Sequence, residues 1–138
     1  MKIVADTNVL ISALGWKGSE HELISKCFKK EFTLCFSPQT IEEFKNVALR
    51  KKFDFTTKEI DEFIEALLLV SEIVFPQTKI EEIKEDSKDN QFLECAIEAK
   101  AEFIVSGDKH LLKLKQFNEV KVLNAKKFLE KTEIGKKE

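Results

Sequence analysis

The sequence predicts a three-layer α/β/α domain around a central, mainly parallel β-sheet. Three observations carry this expectation. Short runs rich in Ile, Val and Phe recur along the chain, stretches with helical apolar spacing separate them, and no internal repeat or linker interrupts the alternation. Strands alternating with helices form parallel βαβ units, whose helices cover both faces of the sheet.

Ile3 to Ala5 is a short buried strand, followed by the polar cluster Asp6-Thr7-Asn8, read as a turn, and an apolar helix from Val9 to Leu14 that ends near Gly15 and Gly18. Leu23, Ile24, Cys27 and Phe28 mark a second helix, and Phe32 to Phe36 a β-rich run. Ser37-Pro38 supplies an N-cap and a proline at the first helical position for a helix bearing Ile41, Phe44, Val47 and Ala48. Phe53 to Phe55 reads as a loop, Thr56 or Thr57 as the next N-cap, and Ile60 to Val70 as an amphipathic helix. Ile73-Val74-Phe75 is a strand stopped by Pro76, and the acidic stretch through Glu85-Asp86 is a solvated connection. Ser87 is expected to cap a helix bearing Phe92, Leu93, Ala96 and Ala99. Phe103 to Val105 and Val120 to Leu123 complete the strands, with a short helix near Phe128. Residues 1–130 are expected to form one domain, and 131–138, which lack an apolar face, a frayed tail.

Length and composition agree with one domain. A chain of 138 residues buries a real core but is too short for two ordinary domains. Its 43% hydrophobic content is globular, and 35% charged residues exceeds the roughly 25% typical of such proteins. The excess is in Lys and Glu, a bias shared with proteins from hot environments. A net charge of −2 and a pI near 5.8 give no global positive field, so any nucleic-acid contact must use local patches. Cys27, Cys35 and Cys95 lie in separate elements without a C-x-x-C pair, which points to reduced, buried thiols. The opening Lys2 to Ala5 lacks the length of a signal sequence, and no apolar run approaches a membrane span, so a cytoplasmic protein is expected.

Four acids stand where chemistry is expected. Residues beyond the carboxyl ends of parallel strands converge on one rim, where ligands bind. Asp6 directly follows its strand, and Asp108 follows another through Ser106-Gly107. Asp89 shares a helical face with Phe92, Ala96 and Ala99, so it points inward. Glu43 flanks the stripe of Ile41, Phe44 and Ala48, whereas Glu42 turns further to solvent. Each acid alone has a plain structural explanation as a helix cap, a dipole partner or a solvated group. Together they would repel and raise one another's pKa unless a cation neutralised them. Oxygen-only ligation favours Mg²⁺ or Mn²⁺ over Zn²⁺.

The chain resembles the PIN-domain nucleases, especially the toxin components of the VapC type. The resemblance rests on Ile3-Val4-Ala5-Asp6-Thr7-Asn8 and the residues after it, the helix Ser37 to Val47 with Glu43, Asp89-Asn90-Gln91-Phe92, and Phe103 to Asp108. It implies a PIN-like fold in which Asp6, Glu43, Asp89 and Asp108 are catalytic and metal-binding. Asn8, Asn90 and Ser106 would be auxiliary polar groups. Asn90 stands where many relatives carry another acid, and Ser87-Lys88 where they often have Pro-Asp. The implied activity is endoribonucleolytic hydrolysis of single-stranded RNA by metal-activated water, leaving 5′-phosphate and 3′-hydroxyl ends. The implied partners are RNA, an antitoxin whose segment covers the acidic groove, and a second copy in a homodimer.

Local cations supply candidate RNA contacts: Arg50, Lys51 and Lys52, and beside the rim Lys109, His110 and Lys113. Trp16, between glycines, reads either as an exposed aromatic that meets a base or partner, or as packing over the core. Two alternatives stand beside the nuclease. One is a non-catalytic RNA- or protein-binding module. The other is an aspartyl-phosphate phosphatase using Asp6, although such enzymes want a second Asp two positions on, where Asn8 stands.

Overall fold

The computed structural model describes residues 1–137, with side chains through Glu133. Four parallel strands form the centre of the sheet: β1 (Lys2–Ala5), β2 (Thr33–Phe36), β4 (Phe103–Val105) and β6 (Val120–Leu123). Two short strands edge it, β3 (Glu72–Ile73) parallel to β2 and β5 (Gln116–Phe117) antiparallel to β6. The order is β3-β2-β1-β4-β6-β5. The chain leaves β1 for β2 on one side, and β4 then pairs with the other side of β1, which creates a topological switch point between β1 and β4.

Alternation along the strands separates two cores. Ile3, Ala5, Leu34, Phe36, Phe103 and Val105 face a layer made by α1 (Thr7–Gly15), α2 (Ser19–Phe28), α3 (Pro38–Ala48), α4 (Thr57–Leu69) and α7 (Ala125–Lys137). Val4, Cys35, Ile104 and Val122 face the opposite layer, built on α5 (Asn90–Ala99) and α6 (Lys109–Leu114). Burial of both faces explains why these strands read as continuous apolar runs. All three thiols are buried and free.

Local chemistry sets the helix starts. Ser37 and Thr56 each make a reciprocal capping box, with Thr40 and Glu59 respectively, and Pro38 occupies the first turn of α3. Asp6 caps α1 directly, so helix begins at Thr7 and the expected turn through Thr7-Asn8 does not form. Before α5 the cap is Asp86 rather than Ser87: its carboxylate accepts from the Lys88 amide and opens a 3₁₀ turn, Ser87–Asp89, that leads into the helix. A second 3₁₀ turn, Lys51–Phe53, occupies part of the predicted loop after α3. β5 carries only two residues, too few for a period-2 pattern to reveal. The last helix extends through Lys137, beyond the short helix expected near Phe128; it takes in the segment from 131 read as a frayed tail, whose side chains after 133 lie outside the described residues.

Candidate active site

The rim above the β1/β4 crevice gathers acids from four separate elements. β1 and β4 pair in register, Ala5 against Val105, and the Asp6 amide donates to the Val105 carbonyl at 3.0 Å. Asp6 therefore leaves β1 beside Ser106, and Asp108 lies two residues further on. α3 brings Glu43 from the β2 side, and the turn before α5 brings Asp89. All four line one cavity of about 350 Å³, together with Thr7, Asn8, Arg50, Asp86 and Lys88.

Asp6 is 2% exposed and held on both oxygens. Its Oδ1 accepts from the Val9 amide at 2.9 Å, and its Oδ2 from the Ser106 hydroxyl and, at 3.3 Å, the Gly107 amide. Ser106 Oγ in turn accepts from the Asp108 amide at 2.9 Å, which couples the two acids through one hydroxyl. Asp108 caps α6, its Oδ2 accepting from the His110 and Leu111 amides at 3.0 and 3.1 Å. Glu43 Oε2 accepts from the Thr7 hydroxyl at 2.6 Å. Capping and site membership are thus compatible: the same donors that start the helices fix the direction of the carboxylates.

Asp89 differs from the other three. It is 9% exposed, and its Oδ2 is buried with no hydrogen-bond partner. Burial, then proton sharing with Asp108 and repulsion from Asp108, Asp86 and Asp6, pushes its pKa up to about 8. Burial also raises the Asp6 carboxyl, against the opposing pull of Ser106 and the Val9 and Gly107 amides, with Asp108 adding repulsion. A buried carboxyl with an unpartnered oxygen beside three other acids is a setting that a hard cation would relieve, and the all-oxygen donor set suits Mg²⁺ or Mn²⁺. Among the described residues, no three His, Cys, Asp or Glu side chains are already arranged to hold an ion.

The other expected residues divide. Asn8 is exposed at the cavity, and Ser106 lies buried behind Asp6. Asn90 is turned away from the cavity. Its side chain accepts from the Ile83 amide at 2.8 Å and donates to the Ile83 and Ser87 carbonyls at 2.8 and 3.1 Å, clasping the loop before α5. Of the six tentative RNA contacts, Arg50 lines the cavity, and Lys51, Lys52, Lys109, His110 and Lys113 do not. Lys52 instead lies 5.0 Å over the Phe53 ring. Trp16 is 56% exposed and meets Phe53 and Phe55 edge-on, at 6.4 and 6.3 Å between centroids. Sequence reasoning missed Thr7 and Lys88. Thr7 was concealed by the expected turn, and Lys88, beside Asp89, was singled out only as a departure from relatives.

An α/β domain whose switch-point crevice is lined by four carboxylates has the oxygen donors that could hold a hard cation, at the place where such folds bind ligands. A family model described as the PIN domain matches residues 2–110, and the chain belongs to that family. The protein MJ1680 of Methanocaldococcus jannaschii is 32% identical over 145 aligned positions, which cover 96% of this chain and 92% of that protein. The crystal structure of VapBC2 from Rickettsia felis bound to a DNA fragment from their promoter matches with a TM-score of 0.61. That match covers 90% of this chain and 98% of the other at 16% identity, a likeness of fold.

Proposed function

We propose that this PIN-domain protein is a Mg²⁺- or Mn²⁺-dependent endoribonuclease acting on single-stranded RNA, and the toxin of a toxin-antitoxin pair. The observation that carries the nuclease reading is the convergence of Asp6, Glu43, Asp89 and Asp108 on one cavity, with Asp89 Oδ2 left unpaired. The toxin reading draws on the fold shared with the VapBC2 structure. By the same likeness an antitoxin partner is proposed, and the reading further proposes a homodimer that works in the cytoplasm. Among the described residues, no helix is long and apolar enough to cross a membrane.

Asp6, Asp89, Asp108 and Glu43 would hold the ion, directly or through water. When bound, it supplies Lewis-acid polarisation of the phosphodiester and a more acidic water. Asp6 is kept in place by Ser106 and two backbone amides, and Glu43 by Thr7, so the anions are oriented before substrate arrives. Asp89, whose carboxyl is pushed up to about 8 by burial and its acidic neighbours, would release its proton to solvent when its carboxylate holds a cation. Arg50 and Lys88, cations that line the same cavity, would draw the scissile phosphate toward the acids.

The test is cleavage of a labelled single-stranded RNA with Mg²⁺ or Mn²⁺. Asp6→Asn and Asp89→Asn are each expected to lower the rate by about 100-fold or more. Full activity in both variants refutes the assignment. Binding of RNA without cleavage by the wild type would favour the non-catalytic module.

A further inference from the structure

Three cavities on this molecule share walls and run into one another. The acid cavity shares Glu43, Val47, Arg50 and Lys88 with a neighbouring space of about 330 Å³. That space shares Gln39, Lys88 and Gln91 with a larger one of about 610 Å³. Lys88 lines all three. The result is a groove that starts at the carboxylates and passes between α3 and the segment leading into α5.

Its walls have a regular chemistry. On α3, Gln39, Glu43 and Asn46 follow at intervals of four and three residues, one helical face, and Arg50 stands just beyond the end of the helix in extended backbone. At 1.5 Å per residue, Gln39 to Asn46 spans about 10 Å along the helix, the length of about three stacked nucleotides at 3.4 Å each. The opposite wall carries Gln91 on α5 and, in the preceding segment, Lys79, Lys84 and Lys88. Among the described residues, none of Arg50, Lys79, Lys84 and Lys88 is in an ion pair. Of the acids on that wall, Glu94 is engaged by the Ile80 amide at 2.9 Å, while Glu81 is exposed.

We propose that this groove holds the RNA strand on one side of the scissile phosphate, with Lys79, Lys84 and Lys88 against its backbone and Gln39, Asn46 and Gln91 against base edges. The inference rests on the ribonuclease reading and adds to it a directional substrate track and the residues that set sequence preference. Free cations hold phosphate without reading sequence, whereas side-chain amides offer a donor and an acceptor together and can discriminate bases. A groove lined by both chemistries suits a single strand better than an apolar protein segment. The loop clasp made by Asn90 fixes the wall that carries Lys84 and Lys88.

The experiment measures binding, not cleavage. Affinities for single-stranded RNA 4-mers and 8-mers are followed by fluorescence anisotropy across a NaCl series, in EDTA at pH 6.5. Wild type is compared with Lys79→Ala/Lys84→Ala and with Lys29→Ala/Lys131→Ala, which removes equal charge from exposed positions outside the groove. Loss of two phosphate contacts on a single strand should lower the slope of log affinity against log salt by about 1.4. The groove variant should show this change with the 8-mer, together with an 8-mer affinity reduced toward that of the 4-mer, and the control should behave as wild type. Equal slopes in the groove variant and wild type overturn the proposal and leave the groove to a protein segment. An equal decrease in the control also overturns it, because binding would then follow net charge alone. Since no metal is present, a failure of metal-dependent cleavage does not alter this result.

Discussion

At the scale of single residues, Asp89 concentrates the electrostatic problem that the site poses. A carboxyl in the unfolded chain titrates near 3.9, whereas Asp89 keeps its proton to about pH 8 in the fold. Between those values the native state binds more protons than the unfolded state. The stability linked to this group is therefore fully present below about pH 4 and is lost as pH rises toward 8. A divalent cation bound at the proposed site would take the proton's place and offset that loss. Mn²⁺ should consequently raise the melting temperature more at pH 8 than at pH 5, and Asp89→Asn should flatten the difference, as read by differential scanning fluorimetry. An Mn²⁺ effect that does not vary with pH contradicts this account of Asp89. Asp6, Glu43 and Asp108 each accept a hydrogen bond from a neighbouring donor, whereas Asp89 Oδ2 has no such partner.

At the scale of elements, the segment 83–90 shows how one side chain organises a wall. Asn90 is a position at which the family resemblance implies an acid in many members, yet both its donor and its acceptor are used on Ile83 and Ser87. Asn90→Asp would set a carboxylate against two carbonyls and forfeit both donated bonds. It should cost about 1–3 kcal/mol of stability by urea denaturation and strengthen Mn²⁺ binding not at all. Unchanged stability with tighter Mn²⁺ binding would mean that the residue faces the acids after all. Element boundaries were legible in the sequence where chemistry was local: Ser37-Pro38 and Thr56 announce their helices. They were hidden where a contact from elsewhere decides. Asp86, not Ser87, caps the turn before α5, and β5 exists only because Gln116 and Phe117 pair with Lys121 and Val120 across a tight turn.

At the scale of the whole molecule, the alternation of strands and helices was enough to predict three layers, because a sheet buried on both faces must read as uninterrupted apolar runs. The placement of Asp6 and Asp108 on one rim was legible too, since both follow strands that are buried and parallel. The direction of Glu43 could be read from its helical phase. The cations could not be assigned this way: Lys51 and Lys52 are adjacent to Arg50 in sequence, but the 3₁₀ turn carries them off the cavity, while Lys88 reaches it. Sequence proximity is a poor guide to a groove whose walls come from α3 and a segment some forty residues later. The fold acts here by bringing together four anions that are remote in the chain, and a site of that kind should respond as a unit. Isothermal titration of Mn²⁺ at pH 7.5 tests this most directly, on wild type, Asp6→Asn, Asp89→Asn and the double variant. Each single substitution is predicted to weaken binding by about 10-fold or more, with the double variant little worse than either single one. Wild-type affinity in both single variants would contradict the claim that these carboxylates form one metal site.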